Sequence, residues 1–407
     1  MVMISDLSDD LLIKVLSFLT TKVAVSTSIL SKQWRFLWRW LPKLEYNEYD
    51  DLTGGPMCSW WGSMRYEECF DKNLPLHRAP VIESLRLRFY YDRFGQPETI
   101  KRWVGIAVSR FVRELSIVYL DGKTHNFISL PSSLYSCSSL MTLKLEWKSI
   151  LVDVPRIVCL PSLKTLQLRF VTYLDDSLGL LLSQCPVLED LCIAVYRSDS
   201  NNERAIVVNV PSLQRLSLEI DSDCSSDGYV IVTPCLKYLK IEDYRDYPSY
   251  LIEPMPKLEE ADIDVVQDID KILESITSVR RLSLRPWFNS AEEYEYRAGI
   301  VFTRLEHLEL GIHSNDWSKL LIWLLGSSPK LQGLYLYVEW WSLDSDPLDW
   351  KNKQSSIPEL VLTSLETFEL KGMGTQEERD FLTILFKHAS CLKSTSITGH
   401  DATQFGV

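Results

Sequence analysis

Residues 140–145 read "LMTLKL", and 23 positions further on residues 163–168 read "LKTLQL". Each stretch carries an apolar residue, a second three places later and a third two places after that. With hydrophobic residues at 46% of the chain, one such triple arises by chance at about one site in ten, so a single occurrence decides nothing. The pattern occurs twelve times, from "IESLRL" at Ile82 through "LEDLCI" at Leu188, "LQRLSL" at Leu213, "LKYLKI" at Leu236, "LEEADI" at Leu258 and "VRRLSL" at Val279 to "LETFEL" at Leu365. Between Leu140 and Leu331 successive units begin 23, 25, 25, 23, 22, 21, 26 and 26 residues apart.

Sustained self-similarity at about 20–29 residues is the leucine-rich-repeat period. The residues at +3 and +5 alternate along a short strand and face one side. One unit cannot bury that face alone, whereas stacked units form a parallel sheet over a continuous core. Turn-forming triplets such as "LPS", "QCP", "VPS" and "TPC" precede many units, where proline ends the preceding segment and sets the entry turn. "DDSLGLLLSQCP" (175–186) and "DWSKLLIWLLGSSP" (316–329) read as helices on the convex side. The expectation is an α/β leucine-rich-repeat solenoid of short parallel strands with a concave sheet over residues 80–341.

Composition excludes several classes. The net charge of the 407 residues is −12, against the cationic footprint that general nucleic-acid binding needs. No run reaches about 18 apolar residues, so no membrane-spanning helix is expected. The opening "MVMISDLSDD" lacks the basic-then-apolar order of a secretory signal. Nine scattered cysteines without a CxxC pair read as reduced thiols of a cytoplasmic or nuclear protein. Cys137 and Cys185, each just before an apolar unit, read as small buried residues. No GxxxxGK[ST], GxGxxG or GxSxG motif occurs, and neither a cofactor nor a metal is expected. His307 and His313 have no cysteine partner at ligand spacing. "EEADID" (259–264) reads as a solvated strand face rather than an acid–base pair.

The N-terminal 46 residues follow another period. Ser8 stands where it can cap a helix, with Asp9 and Asp10 at its positive end. Leu11, Leu12, Val15, Leu16 and Leu19 then make one broad apolar face, which "TT" (20–21) stops. "VAVSTSIL" (23–30) is a poor autonomous helix that only packing would hold. "SKQWRFLWRW" (31–40) concentrates three tryptophans, a phenylalanine and three cations. A third helix through it places Leu30, Trp34, Leu37, Trp38 and Leu41 on one side. A segment of this size cannot bury so much apolar surface by itself and needs a partner. Trp34 and Trp38 are expected in the module's core, and Leu7, Leu11 and Leu12 at an interface.

"DLSDDLLIKVLSFLTTKVAVSTSILSKQWRFLWRWLPKLEY" (6–46) resembles the F-box of plant F-box/leucine-rich-repeat proteins. The resemblance implies docking onto a Skp-type adaptor and, through it, onto a cullin ubiquitin ligase. It implies an adaptor-facing surface at Leu7, Ser8, Leu11, Leu12, Val15, Leu19, Leu30 and Trp34. Most relatives have proline where this chain has Ser8, and usually again where it has Thr20. Trp350, Pro358, "LETFELKG" (365–372), the "QEERDFLTILFKHASCLK" helix (376–393) and a last strand at "STSI" (394–397) resemble the FBD region. That helix carries Phe381, Leu382, Leu385 and Phe386 at helical spacing and can close the last repeat. The expected organisation is an all-α F-box at 1–46, an entry segment at 47–79, the repeats at 80–341 and an FBD-like cap at 342–407.

Outward positions on the repeat strands face the concave side. Glu219, Glu242 and Asp264 fall at one such position in successive units and should stack about 4.8 Å apart. Glu260 and Asp262 lie beside them. Residues 242–274 hold eleven acids against three Lys/Arg, a net of −8. This reads either as a patch for a basic segment of a client protein or as a solvated surface tempered by Lys240, Arg281 and Arg285. Tyr335 and Tyr337, with Trp340 and Trp341, read either as binding anchors or as surface covered by the C-terminal cap. Together the resemblance implies a non-catalytic substrate receptor of a Skp–cullin–F-box ligase. A scaffold without ligase activity and a receptor for a small molecule in the groove are the alternatives.

Overall fold

The computed structural model describes residues 4, 7–48, 66–89, 97–120, 127–147, 149–173, 176–195, 205–224, 228–245, 249–266, 269–286, 299–312, 317–338, 364–372 and 376–399. They fall into two compact units, Met1–Asn202 and Glu203–Val407. His313, Trp340, Trp341, Trp350 and Pro358 lie outside the described residues.

The first unit opens with α1 (Asp9–Leu16) and α2 (Thr21–Ser26), then 3₁₀ turns at Thr27–Ile29 and Trp34–Trp40. Ser8 occupies the N-cap position of α1, but its hydroxyl makes no capping bond. Gln33 ties that end instead, its Nε2 donating to the Leu7 carbonyl at 3.2 Å and to Asp9 Oδ1 at 3.1 Å. Thr20 starts the second helix rather than only ending the first, its Oγ1 accepting from the Val23 amide at 3.5 Å. "VAVSTSIL" is helical in its first half, held by buried Ala24 and Val25. The expected third helix is a 3₁₀ turn that buries Trp34, Leu37 and Trp38. Leu30 does not join them: the helical phase is broken between the two 3₁₀ turns, and Leu30 is 65% exposed.

Six parallel strands follow in the order β1 (Lys43–Asn47), β2 (Ser84–Phe89), β3 (Glu114–Tyr119), β5 (Thr142–Glu146), β7 (Thr165–Arg169) and β9 (Asp190–Val195). The short β4 (Ile128–Ser129), β6 (Ile150–Val152) and β8 (Thr172–Tyr173) form a separate parallel sheet. β1 lies inside the stretch read as the helical module, so the sheet starts at Lys43 rather than near residue 80. This supplies the support the small module needed. The Glu45 amide donates to Thr21 Oγ1 at 2.8 Å, the Arg78 amide to the Arg39 carbonyl at 2.7 Å and the Glu83 amide to the Pro42 carbonyl at 2.7 Å. Tyr46 packs among Phe70, Phe89 and Trp103, with ring centroids 5.7, 5.2 and 5.2 Å away. Such contacts add to the burial of large rings.

In the second unit β10 (Ile206–Asn209), β12 (Gly228–Val232) and β14 (Ser249–Ile252) form one parallel sheet. These segments, which the repeat pattern leaves unassigned, are rich in Val, Ile and Tyr, which suit a pleated surface. Gly228 opens β12 with φ +138°, and a Cβ there would lie 1.8 Å from the Ser249 carbonyl oxygen, so only glycine fits. The main sheet runs β11 (Arg215–Ile220), β13 (Tyr238–Asp243), β15 (Glu260–Val265), β16 (Arg281–Pro286), β17 (His307–Ile312), β18 (Gly333–Val338), β19 (Thr367–Gly372) and β20 (Ser394–Gly399). The apolar triples form its core; Leu236, Leu239 and Ile241 are fully buried. Helices occur at Ser177–Ser183 in the first unit and Trp317–Ser327 in the second, as predicted. The C-terminal helix Gln376–His388 buries Phe381, Leu382 and Leu385, while Phe386 turns outward. The fold is an α/β leucine-rich-repeat solenoid of parallel strands.

Candidate adaptor and client interfaces

On α1, Leu11 and Val15 stand four residues apart and share one exposed side; Leu11 is 50% exposed. Ser8, Phe18, Leu19, Val23, Ile29 and Leu30 are exposed as well. Leu7 is half-buried. Two residues assigned to the adaptor surface face inward instead. Leu12 is fully buried and Trp34 nearly so, both against the module's own helices. Alternation on a helix is one residue per 100°, so Leu11 and Leu12 cannot serve the same face. Two of the three cations of "SKQWRFLWRW" also find a local role: the Arg39 guanidinium lies 4.5 Å from the centroid of the exposed Phe36 ring, and Arg35 lies 5.2 Å from it.

On the open side of the second unit's sheet the register pairs Glu219 with Glu242 and Glu242 with Asp264, as the repeat spacing predicts. Four of the five acids, Glu242, Glu260, Asp262 and Asp264, meet cations on neighbouring positions. Arg285 reaches Asp262 Oδ1 at 2.6 Å through Nη2 and Asp264 Oδ2 at 3.2 Å through Nε. Lys240 pairs with Glu242 at 2.8 Å, Arg281 with Glu260 at 3.2 Å, and the Tyr244 hydroxyl donates to Asp264. Gly311 makes room for Arg285: a Cβ there would lie 2.7 Å from its Cγ. Burial raises the Asp262 carboxyl above its ordinary value, with Arg285 and Lys240 pulling the other way. An open groove of about 510 Å³ runs across Tyr238, Glu260, Asp262, Arg285, Glu309 and Tyr335. Tyr335 and Tyr337 are half-exposed on this side.

Sequence reasoning missed two buried polar features. Asp243 lies on the core side of β13, where the matching residues of β11 and β15 are Ile220 and Val265, and it pairs with Arg245. A charge at an apolar register position was the available signal. His77 is buried beside the helical module, its Nε2 2.9 Å from the Leu41 carbonyl. Nothing in its local sequence marks it.

An exposed apolar helical face on a small module, continuous with a stack of leucine-rich strands, defines a docking protein of the F-box and repeat class. Family profiles agree along the chain: an F-box domain at residues 4–46, the repeats of the FBD-associated F-box protein At5g56370 at 100–263, and FBD at 353–397. The chain is 58% identical to the putative FBD-associated F-box protein At5g56700 of Arabidopsis thaliana over 100% of both chains. It is 52% identical to the FBD-associated F-box protein At5g60610 of the same organism, over 97% of this chain and 99% of that one. The chain belongs to the FBD-associated F-box protein family.

Proposed function

We propose that this protein is the client-recognising subunit of a Skp–cullin–F-box ubiquitin ligase. The carrying observation is the division of labour on α1. Leu12 and Leu16 complete the module's own core, while Leu11 and Val15 remain exposed, as do Leu19 and Leu30. An unpartnered apolar face on a module whose core is already closed is surface to be covered by another chain. The F-box holds the adaptor, the repeats hold the client, and the protein contributes proximity rather than chemistry of its own. The seven cysteines described are free thiols, which supports a cytoplasmic or nuclear setting.

The test is a pull-down of the full chain with a purified Skp-type adaptor, comparing wild type with Leu11→Asp plus Val15→Asp. Leu12 is unsuitable for this purpose because a charge there would unfold α1. Capture by wild type that the folded double variant loses supports the ligase reading. A folded wild type that captures no adaptor overturns it and leaves the scaffold reading.

A further inference from the structure

The acids first read as a client patch are mostly engaged by neighbouring cations, and two glutamates without a salt bridge among the described residues lie two strands further on, with Lys371 exposed on the same face beyond Tyr337. Glu309 on β17, Tyr335 on β18 and Glu369 on β19 occupy one register position across three parallel strands. At about 4.8 Å per strand, the two glutamates flank the tyrosine with their Cα atoms about 10 Å apart. All three are half-exposed on the open side of the sheet. Among the described residues neither glutamate enters an ion pair, whereas Glu242, Glu260, Asp262 and Asp264 all do. Tyr337 stands two residues beyond Tyr335. Burial first, and then Glu309 and Glu369, hold its hydroxyl above the ordinary value, so both carboxylates act on this ring as well. The groove described above opens onto Glu309 and Tyr335.

We propose that an extended client segment lays a lysine or arginine side chain between Glu309 and Glu369, against the rings of Tyr335 and Tyr337. The occupant follows from charge complementarity. A cation gains from two carboxylates and from the negative faces of two rings. An apolar side chain would strip water from both glutamates without replacing it. An acidic one would meet like charge. The neighbouring Arg285 acts on Glu309 electrostatically, but its hydrogen bonds go to Asp262, Asp264 and Ser283, which leaves the space between the two glutamates to an incoming cation. The inference rests on the reading of the repeats as the client-holding arm.

The probes are fluorescein-labelled hexaarginine and hexalysine, titrated with the full chain and read by fluorescence anisotropy. Hexaglutamate and spermine serve as controls. Glu309→Gln plus Glu369→Gln, a near-isosteric change, should weaken both basic probes about tenfold. Glu98→Gln plus Glu114→Gln removes the same charge from exposed positions of the first unit and should leave affinity within about twofold. Tyr335→Ala should weaken binding while Tyr335→Phe keeps it. Equal loss in both double variants, no loss in Glu309→Gln plus Glu369→Gln, or spermine binding as tightly as the peptides each overturns the proposal. Adaptor capture by the same variants is read separately. A failure here leaves the F-box arm standing, and a failure of the adaptor pull-down leaves this result interpretable.

Discussion

Arg245 closes a two-bond clasp on Asp243, Nε to Oδ1 at 2.9 Å and Nη2 to Oδ2 at 2.7 Å, with side-chain exposures of 6% and 0%. The pair sits on the apolar side of the sheet, where removal of one member strands a buried charge. Asp243→Leu or Arg245→Met alone should cost about 3–5 kcal/mol in chemical denaturation. Asp243→Leu with Arg245→Met removes both charges and should cost less than either single change. A double variant as damaged as the sum of the singles would show that the charges are not coupled.

Arg285 plays the corresponding part on the open side. Because it lowers an Asp262 carboxyl that burial has already raised, Arg285→Leu should raise that carboxyl further. The sign follows from linkage. A carboxyl held above its unfolded value of about 3.9 binds protons more tightly in the native state, so stability falls as pH rises through that window. Arg285→Leu should therefore be penalised more at pH 7 than at pH 4. Urea midpoints at the two pH values check this, and a pH-independent penalty would refute it.

His77 supplies a pH dependence of the opposite sign. Burial takes its pKa from 6.5 to about 4; the hydrogen bond to Leu41 opposes the shift and the charge on Arg110 adds to it. The unfolded chain then takes the proton first. This contribution is complete above pH 6.5 and is lost as pH falls toward 4, by up to about 3 kcal/mol. His77→Gln should be less stable than wild type at pH 7.5 and should lose less on acidification to pH 5. Denaturation curves with parallel pH slopes for the two proteins would contradict the assignment.

The two neighbouring leucines of α1 should behave differently. Leu12→Ala opens a cavity in the module and should cost about 2–5 kcal/mol. Leu11→Ala removes exposed surface and should change stability by no more than about 0.5 kcal/mol. The same Leu11→Ala change should weaken adaptor capture. Thermal melts and the pull-down on one pair of variants separate folding from docking.

Much of this was written locally. The repeat period specified the parallel strands, because apolar residues at +3 and +5 can be buried together only in a strand stacked on its neighbours. The same arithmetic placed Glu219, Glu242 and Asp264 in one column. The helices at Ser177–Ser183 and Trp317–Ser327 followed from continuous apolar runs ending at a turn. The strands β10, β12 and β14 were missed because a short apolar run of β-branched residues suits either state until packing chooses.

What the sequence determined by itself is the periodic part: the repeat solenoid, the helical N-terminal module and the rows of outward residues. Tertiary structure alone decided which polar groups meet. Arg285 bridges Asp262 and Asp264 from a strand some twenty residues away in sequence, and it can do so because Gly311 on the next strand leaves it room. The join at Lys43, the partition of Leu11 from Leu12, and the placement of Glu309 and Glu369 on either side of Tyr335 are of the same kind. Periodicity fixes the face on which a side chain lies. Pairing and burial depend on distances between strands remote in the chain, and those exist only once the repeats have stacked.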